Sequence, residues 1–204
     1  MKYGCARSAW LGADRLFAVP ELQTPHEDVR FYVFTPKFTL VPAPFFSGDA
    51  AADLLSEVAT VAPDETVRCV ELPRLGAWAV FAEPALSSHR KVLRDTVLRT
   101  DGSRGDVLPE QIALLDSLED IQDYNKVVAS YADGRIYLAV AQGRNLLLCN
   151  SFEAADFVTA EYFIFMVLSK FQLNPEQTTI YFRTPLSEDE EASLYSYFRS
   201  VEMI

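Results

Sequence analysis

Hydrophobic and polar positions alternate along this chain at two different periods, and the change is sharpest in its last third. Residues 126–131 and 135–141 are runs rich in β-branched, aromatic and small apolar side chains, separated by Asp133-Gly134. That pair suits a two-residue type I′ turn, whose two central residues both need positive φ. A second turn at Gln142-Gly143-Arg144-Asn145 leads into an apolar run over 146–150. Two tight turns joining three successive strands predict an antiparallel meander. From 159 to 173 the period becomes helical, with Tyr162, Phe163, Met166, Phe171 and Leu173 brought together on a helix surface. Asn174-Pro175 ends this helix, because the residue before proline leaves the α region. Residues 178–182 read as a strand. Ser187 with Glu190 forms a capping box that opens a last helix, running to about Phe198. The acidic run Glu188-Asp189-Glu190-Glu191 then falls in that helix's first turn, where the helix dipole favours it, and this reading is preferred to a metal site. The order is β-β-β-α-β-α, the ribonuclease-H-like plan, in which the added strands lie parallel to the first.

The first half shows a related but shorter order. Residues 7–17 form a helix and residues 29–34 a strand apolar on both faces, as in the centre of a sheet covered by helices. A helix over 49–59 carries Leu54, Leu55 and Val58 on one side. Strands follow at 67–72 and 77–81, then a helix at 87–97. The stretch 100–105, with Asp101-Gly102 and Ser103-Arg104-Gly105, is the clearest loop. The chain therefore divides into two halves, 1–105 and 106–204. No hairpin is legible before Val29, so the first half lacks its N-terminal hairpin. That leaves Phe31, Tyr32, Val33 and Phe34 along an edge, to be covered by upstream residues, by residues 1–23 or by another chain.

Composition narrows the class. Half of the 204 residues are apolar and 23% are charged, as in globular chains that bury a substantial core. The net charge of −11 repels phosphate backbones, so nucleic-acid binding by broad electrostatics is disfavoured. Cys5, Cys69 and Cys149 are odd in number and widely spaced, and read as reduced thiols rather than a disulfide framework or a zinc site. The longest apolar run, 162–168, is seven residues, far short of the roughly 20 that span a bilayer. No apolar stretch precedes Cys5 as a signal peptide would require. A cytoplasmic protein without membrane insertion is expected.

Candidate chemistry is sparse. His26 beside Pro25 and His89 beside Arg90 read as exposed. The GxSxG, GxxxxGK[ST] and HExxH patterns are missing from the sequence. Asp116, Glu119, Asp120 and Asp123 form an acidic helix face, read as solvated surface with a metal site as the alternative.

Two stretches, Thr35-Pro36-Lys37-Phe38-Thr39-Leu40-Val41-Pro42 and Leu147-Leu148-Cys149-Asn150-Ser151-Phe152, resemble the signature segments of DUF3822, a bacterial family of unknown function. The helix and strand over 162–182, with Leu173-Asn174-Pro175-Glu176 at their centre, are similar to its next block. The resemblance runs from about Asp28 to the end of the chain. It implies an actin-like ATPase fold, an α/β architecture with mixed sheets in which two ribonuclease-H-like halves flank a cleft, as in sugar kinases and heat-shock chaperones. Active members of that fold cradle phosphate in hairpin turns and hold hydrated Mg²⁺ with aspartates. Here the second such turn falls at Asp133-Gly134, yet Ser130 stands where an acidic residue usually ends the strand, and Tyr131 crowds the turn. The glycine pair of the adenosine site is replaced by Phe182-Arg183-Thr184-Pro185. A degenerate nucleotide site is expected, hence a non-catalytic module that acts through a protein partner or as a homodimer, without a cofactor. The alternative is weak ATP binding with Mg²⁺, in which Asp133, Gly134 and Asp101 line the cleft.

Overall fold

In a computed structural model of the chain, residues 24–83, 91 and 94–204 are described. The helix expected at 7–17, the missing hairpin, His89 and most of the helix expected at 87–97 lie outside them.

The second half assembles as the ribonuclease-H-like order predicts. Strands β6 (Asn125–Ala132), β7 (Arg135–Gln142) and β8 (Asn145–Glu153) form the antiparallel meander. Asp133 and Gly134 both take positive φ, 52° and 68°, as the type I′ turn requires. Beyond β6 lie β9 (Thr179–Phe182) and then β10 (Ser200–Met203), both parallel, giving a five-stranded sheet in the order β10-β9-β6-β7-β8. The final strand β10 is not apparent in the sequence pattern, which predicts a last helix running to about Phe198. That helix is shorter, Glu188–Tyr195, and Ser187 and Glu190 make its capping box.

Strand parity sorts the core of this sheet. Val127, Ala129, Ile136, Leu138, Val140, Ile180 and Phe182 face one way. They pack against Ala160, Ile164, Val167 and Leu168 of a helix at Phe157–Lys170, and against Leu194 and Phe198. Val128, Tyr137, Ala139 and Ala141 face the other way, onto Leu114, Leu115 and Leu118 of a helix at Glu110–Asp120. In chain order the helices are α1 (Ala51–Ser56), α2 (Glu110–Asp120), α3 (Phe157–Lys170) and α4 (Glu188–Tyr195). Phe152, at the end of β8, is half-buried and stacks on Phe163 with ring centroids 4.8 Å apart. It is less enclosed than its place in the sequence suggests, because β8 is an edge strand and continues to Glu153.

The first half departs from expectation at its leading strand. Strand β1 (Arg30–Val33) does not sit centrally among the described residues. It pairs in parallel with β5 (Asp106–Pro109) in a two-stranded sheet. Val29 and Val33 are nonetheless buried, and Phe31, Tyr32 and Phe34 half-buried. Strands β2 (Phe38–Pro42), β3 (Thr66–Leu72) and β4 (Ala77–Glu83) make a separate antiparallel sheet in the order β2-β4-β3. One face holds Val41, Val80 and Ala82 against Leu55 of α1; the other holds Phe38, Ala79 and Phe81 against Ile112 of α2. Helix α2 thus lies between the two main sheets. Every residue in its first six positions is buried, unlike a surface helix with one apolar stripe.

Candidate functional site

Helix α2 begins with a proline at its N-cap, Pro109, whose extended backbone hands β5 directly into the helix. Glu110 is consequently the first helical residue, pointing a carboxylate into the junction between the sheets with 2% of its surface exposed. A buried carboxylate is costly unless its oxygens find donors and a countercharge. Both are supplied by the five-stranded sheet. Ser130, on the α2-facing side of β6, donates its Oγ–H to Glu110 Oε1 at 2.7 Å, and Arg183, just after β9, donates Nε–H to the same oxygen at 2.8 Å. The guanidinium also donates through Nη1 to Ser117 Oγ at 3.2 Å and lies 5.6 Å from the ring centroid of Tyr32 on β1.

The backbone holds these side chains in register. Arg183 N–H donates to the carbonyl of Ala129 at 2.9 Å, which carries the β6–β9 ladder one residue further. The buried Thr184 hydroxyl oxygen accepts from Tyr131 N–H at 2.8 Å. Next to Glu110, buried Gln111 donates Nε2–H to the carbonyl of Thr35 at 2.8 Å. Burial pushes the Tyr32 hydroxyl upward, against the opposing pull of its hydrogen bond with Arg30. Burial likewise raises the carboxyl of Asp116, which the charges of Arg30 and Arg183 draw back. The junction is thus a hydrogen-bonded clasp tying β1, α2, β6 and the end of β9.

The residues singled out in the sequence fall elsewhere. Asp133 and Gly134 sit exposed at the β6–β7 turn, where Ala154 N–H donates to the Gly134 carbonyl at 2.8 Å. Tyr131 flanks this turn and makes an edge contact with Phe157, with ring centroids 5.5 Å apart. Asp101 is exposed on the loop leading back to β5; hydrogen bonds from the Ser103 hydroxyl and then from Ser103 N–H, the latter at 2.8 Å, hold its carboxyl below the usual carboxylate range. No hydrogen bond or ion pair among the described residues joins Asp101 to Asp133. The acidic face of α2 is not simply solvated: Asp116 pairs with Arg30 at 3.4 Å and Glu119 with Arg74. Asp123 lies beyond the helix and accepts from the Tyr181 hydroxyl at 2.9 Å. His26 is half-buried rather than exposed, and its N–H donates to the carbonyl of Leu98 at 3.3 Å.

Glu110 had no visible signal in the sequence, since an acid after proline at a helix start reads as an ordinary dipole-favoured residue. Ser130 and Arg183 are legible there as departures, but nothing local joins them to one carboxylate.

A structural comparison places the architecture. A protein of unknown function with an actin-like ATPase fold, from Bacteroides thetaiotaomicron VPI-5482, superposes with a TM-score of 0.67 at 19% identity. The match covers 94% of this chain and 74% of that one. The mixed α/β fold is therefore that of the actin-like ATPases. No curated protein matches the chain. The model of the family described as "Protein of unknown function (DUF3822)" matches residues 14–201, and the chain belongs to that family.

Proposed function

We propose that this chain is a non-catalytic member of the actin-like fold that works through contacts with another protein. The observation that carries this reading is the convergence of Ser130 and Arg183 on Glu110 Oε1. These two residues occupy the places where nucleotide-binding members of the fold are expected to carry a strand-terminal acid and an adenosine-contacting glycine. A nucleotide site needs backbone N–H groups open to phosphate and carboxylates open to hydrated Mg²⁺. At the junction of the sheets, the serine hydroxyl and the guanidinium are instead spent on a carboxylate of the protein itself. Thr184, the next residue, fastens the backbone of Tyr131 beside the hairpin turn. The net charge of −11 adds no long-range attraction for a polyanion. Chemistry, in this reading, belongs to the partner, and the module works without a cofactor in the cytoplasm.

Isothermal titration with Mg²⁺–ATP at millimolar concentration tests the reading directly, and no saturable heat is expected. A parallel thermal melt should not move, whereas a ligand at 100 times its Kd would add about 2.7 kcal/mol to native stability. A saturable heat would overturn the proposal in favour of ATP held with Mg²⁺ near Asp133, Gly134 and Asp101.

A further inference from the structure

Helix α3 is apolar on the side that faces solvent as well as on the side that faces the sheet. Ala160, Ile164, Val167 and Leu168 are buried. On the opposite side Val158 is 74% exposed, Tyr162 63% and Met166 37%. These positions are four apart, so they form one stripe along the helix. Phe165 extends the stripe sideways to Tyr197, with ring centroids 5.0 Å apart, and Tyr197 is itself 53% exposed. On the other flank Tyr162 meets Phe163 edge-on at 5.3 Å, and Phe163 stacks on Phe152 of the edge strand β8. The outcome is a continuous aromatic surface from β8 across α3 to the turn after α4. A helix with solvent on one side ordinarily turns polar residues toward it.

The charge around this surface specifies what it would accept. Helices α3 and α4 with the α3 cap carry six acidic side chains, Asp156, Glu161, Glu188, Asp189, Glu190 and Glu191, against one basic side chain, Lys170, at the end of α3. Asp156 caps α3, and Glu188, Asp189, Glu190 and Glu191 fill the first turn of α4. Both helix starts lie close enough to Tyr131 for Asp156 and Glu190 to act on its hydroxyl. Within α3 itself, Glu161 lies one turn from both Phe157 and Phe165 and is 9% exposed. Its Oε1 has no hydrogen-bond partner among the described residues. A carboxylate in that position gains from an incoming cation.

We infer that the α3 face is a docking surface for a basic amphipathic segment of a partner protein. The segment would lay apolar side chains across Val158, Tyr162, Met166 and Tyr197, and offer lysine or arginine to Glu161 and the acids at the starts of α3 and α4. An anionic membrane is disfavoured by the same acids, and a second copy of the chain would bring like charge to like. The inference rests on the interaction reading above and assigns it a place on the molecule.

The test uses the whole chain and a fluorescent synthetic helix of leucine and lysine, about 18 residues or roughly five turns long, with a leucine–glutamate helix as its control. Anisotropy should show saturable binding of the basic helix, weakening with salt, and none of the acidic one. Tyr162→Ser with Met166→Ser should weaken binding by at least about tenfold, the scale of an interface anchor, with the thermal melt unchanged. Glu161→Gln should weaken binding while leaving the chain as stable or more so, which a purely structural glutamate would not do. Equal binding of both helices, or indifference to the Tyr162 and Met166 changes, would overturn the inference. So would light scattering that finds a dimer dissolved by those changes, since the occupant would then be a second copy. Mg²⁺–ATP titration of the same preparation separates the two proposals: nucleotide binding removes the non-catalytic reading and leaves the peptide result standing, while peptide failure without nucleotide binding removes only this surface.

Discussion

Ser130 and Arg183 deliver their donors to the same oxygen of Glu110, at 2.7 and 2.8 Å, so two residues far apart in the chain are physically one feature. The carboxylate at this junction comes from the first residue of α2, and the arginine after β9 balances its charge. Removing Glu110 therefore strands a guanidinium and a hydroxyl together. Glu110→Ala should destabilise the chain by about 3–5 kcal/mol, the range for breaking a buried pair from one side. Glu110→Met combined with Arg183→Met should cost much less than the sum of the two single changes. Urea unfolding of the four proteins gives the coupling, and strict additivity would mean that the clasp carries no joint energy.

Helix α4 has only eight residues and little apolar surface, so its start depends on local hydrogen bonds. Ser187 Oγ accepts from Glu190 N–H at 3.3 Å, and Glu190 Oε2 accepts from Ser187 N–H at 2.8 Å. Ser187→Ala should lower stability by about 1 kcal/mol. A change of urea midpoint smaller than the experimental error would show that Leu194 and Phe198 hold the helix without its cap.

What was legible in the sequence follows from how local each determinant is. Asp133-Gly134, Asn174-Pro175 and the Ser187–Glu190 box act within a few residues, and each marks a turn or boundary that the structure contains. Strand β10 has no signal in the sequence because four residues with two exposed carry no period; what makes them a strand is their parallel ladder with β9. The central placement expected for β1 failed for the same reason in reverse. Its apolar residues are real, but β5 is its one ladder partner among the described residues: Phe34 meets Tyr137 and Tyr32 meets Arg183 across the junction on one face, and Val33 is buried on the other. Glu110 was invisible because its partners lie 20 and 73 residues away.

Two tyrosines, the buried Tyr137 and the half-buried Tyr181, make the fold sensitive to alkali. Burial pushes the hydroxyl of Tyr137 up to about 12, and that of Tyr181 to about 12 with help from the charge of Asp123. An unfolded tyrosine ionises near 10. Since the folded values are higher, the stabilisation is fully present below pH 10 and is lost as the pH rises from about 10 to 12. Urea midpoints should fall through that window, and tyrosinate absorbance at this pH should lag behind that of the unfolded chain. Tyr181→Phe should flatten part of the loss. A midpoint constant from pH 9 to 12 would contradict the assignment.

The same enclosure governs Cys149, whose thiol burial raises to about 12 and whose sulfur lies 4.0 Å from the carbonyl of Gln111. Only the thiolate reacts at an appreciable rate. Iodoacetamide at pH 8 should leave Cys149 unmodified in the native chain and label it fully in urea, as read by peptide mass mapping. Prompt native labelling would mean that the packing between α2 and β8 opens readily.

Two glycines in the loop before β5 should respond to substitution for different reasons. At Gly105 an added Cβ would meet Val29 Cγ1 at 2.5 Å, Phe31 Cε2 at 2.8 Å and the Val29 carbonyl oxygen at 2.8 Å. The last contact is backbone, and Asp106 N–H donates to that same carbonyl at 3.1 Å, so the obstacle cannot rotate away without loosening the β1–β5 ladder. Gly102 instead has open space around it but a φ of +80°, a conformation that costs a side chain energy wherever it sits. Gly105→Ala should therefore cost about 1–3 kcal/mol through crowding, and Gly102→Ala about 1 kcal/mol through backbone strain. Asparagine separates the causes, because it tolerates positive φ better than alanine but is larger. Thermal melts should show Gly102→Asn milder than Gly102→Ala, and Gly105→Asn worse than Gly105→Ala. The reverse order at position 105 would mean that β1 can shift to admit a side chain, and that the close approach of this loop does not fix the strand beneath Tyr32 and Arg183.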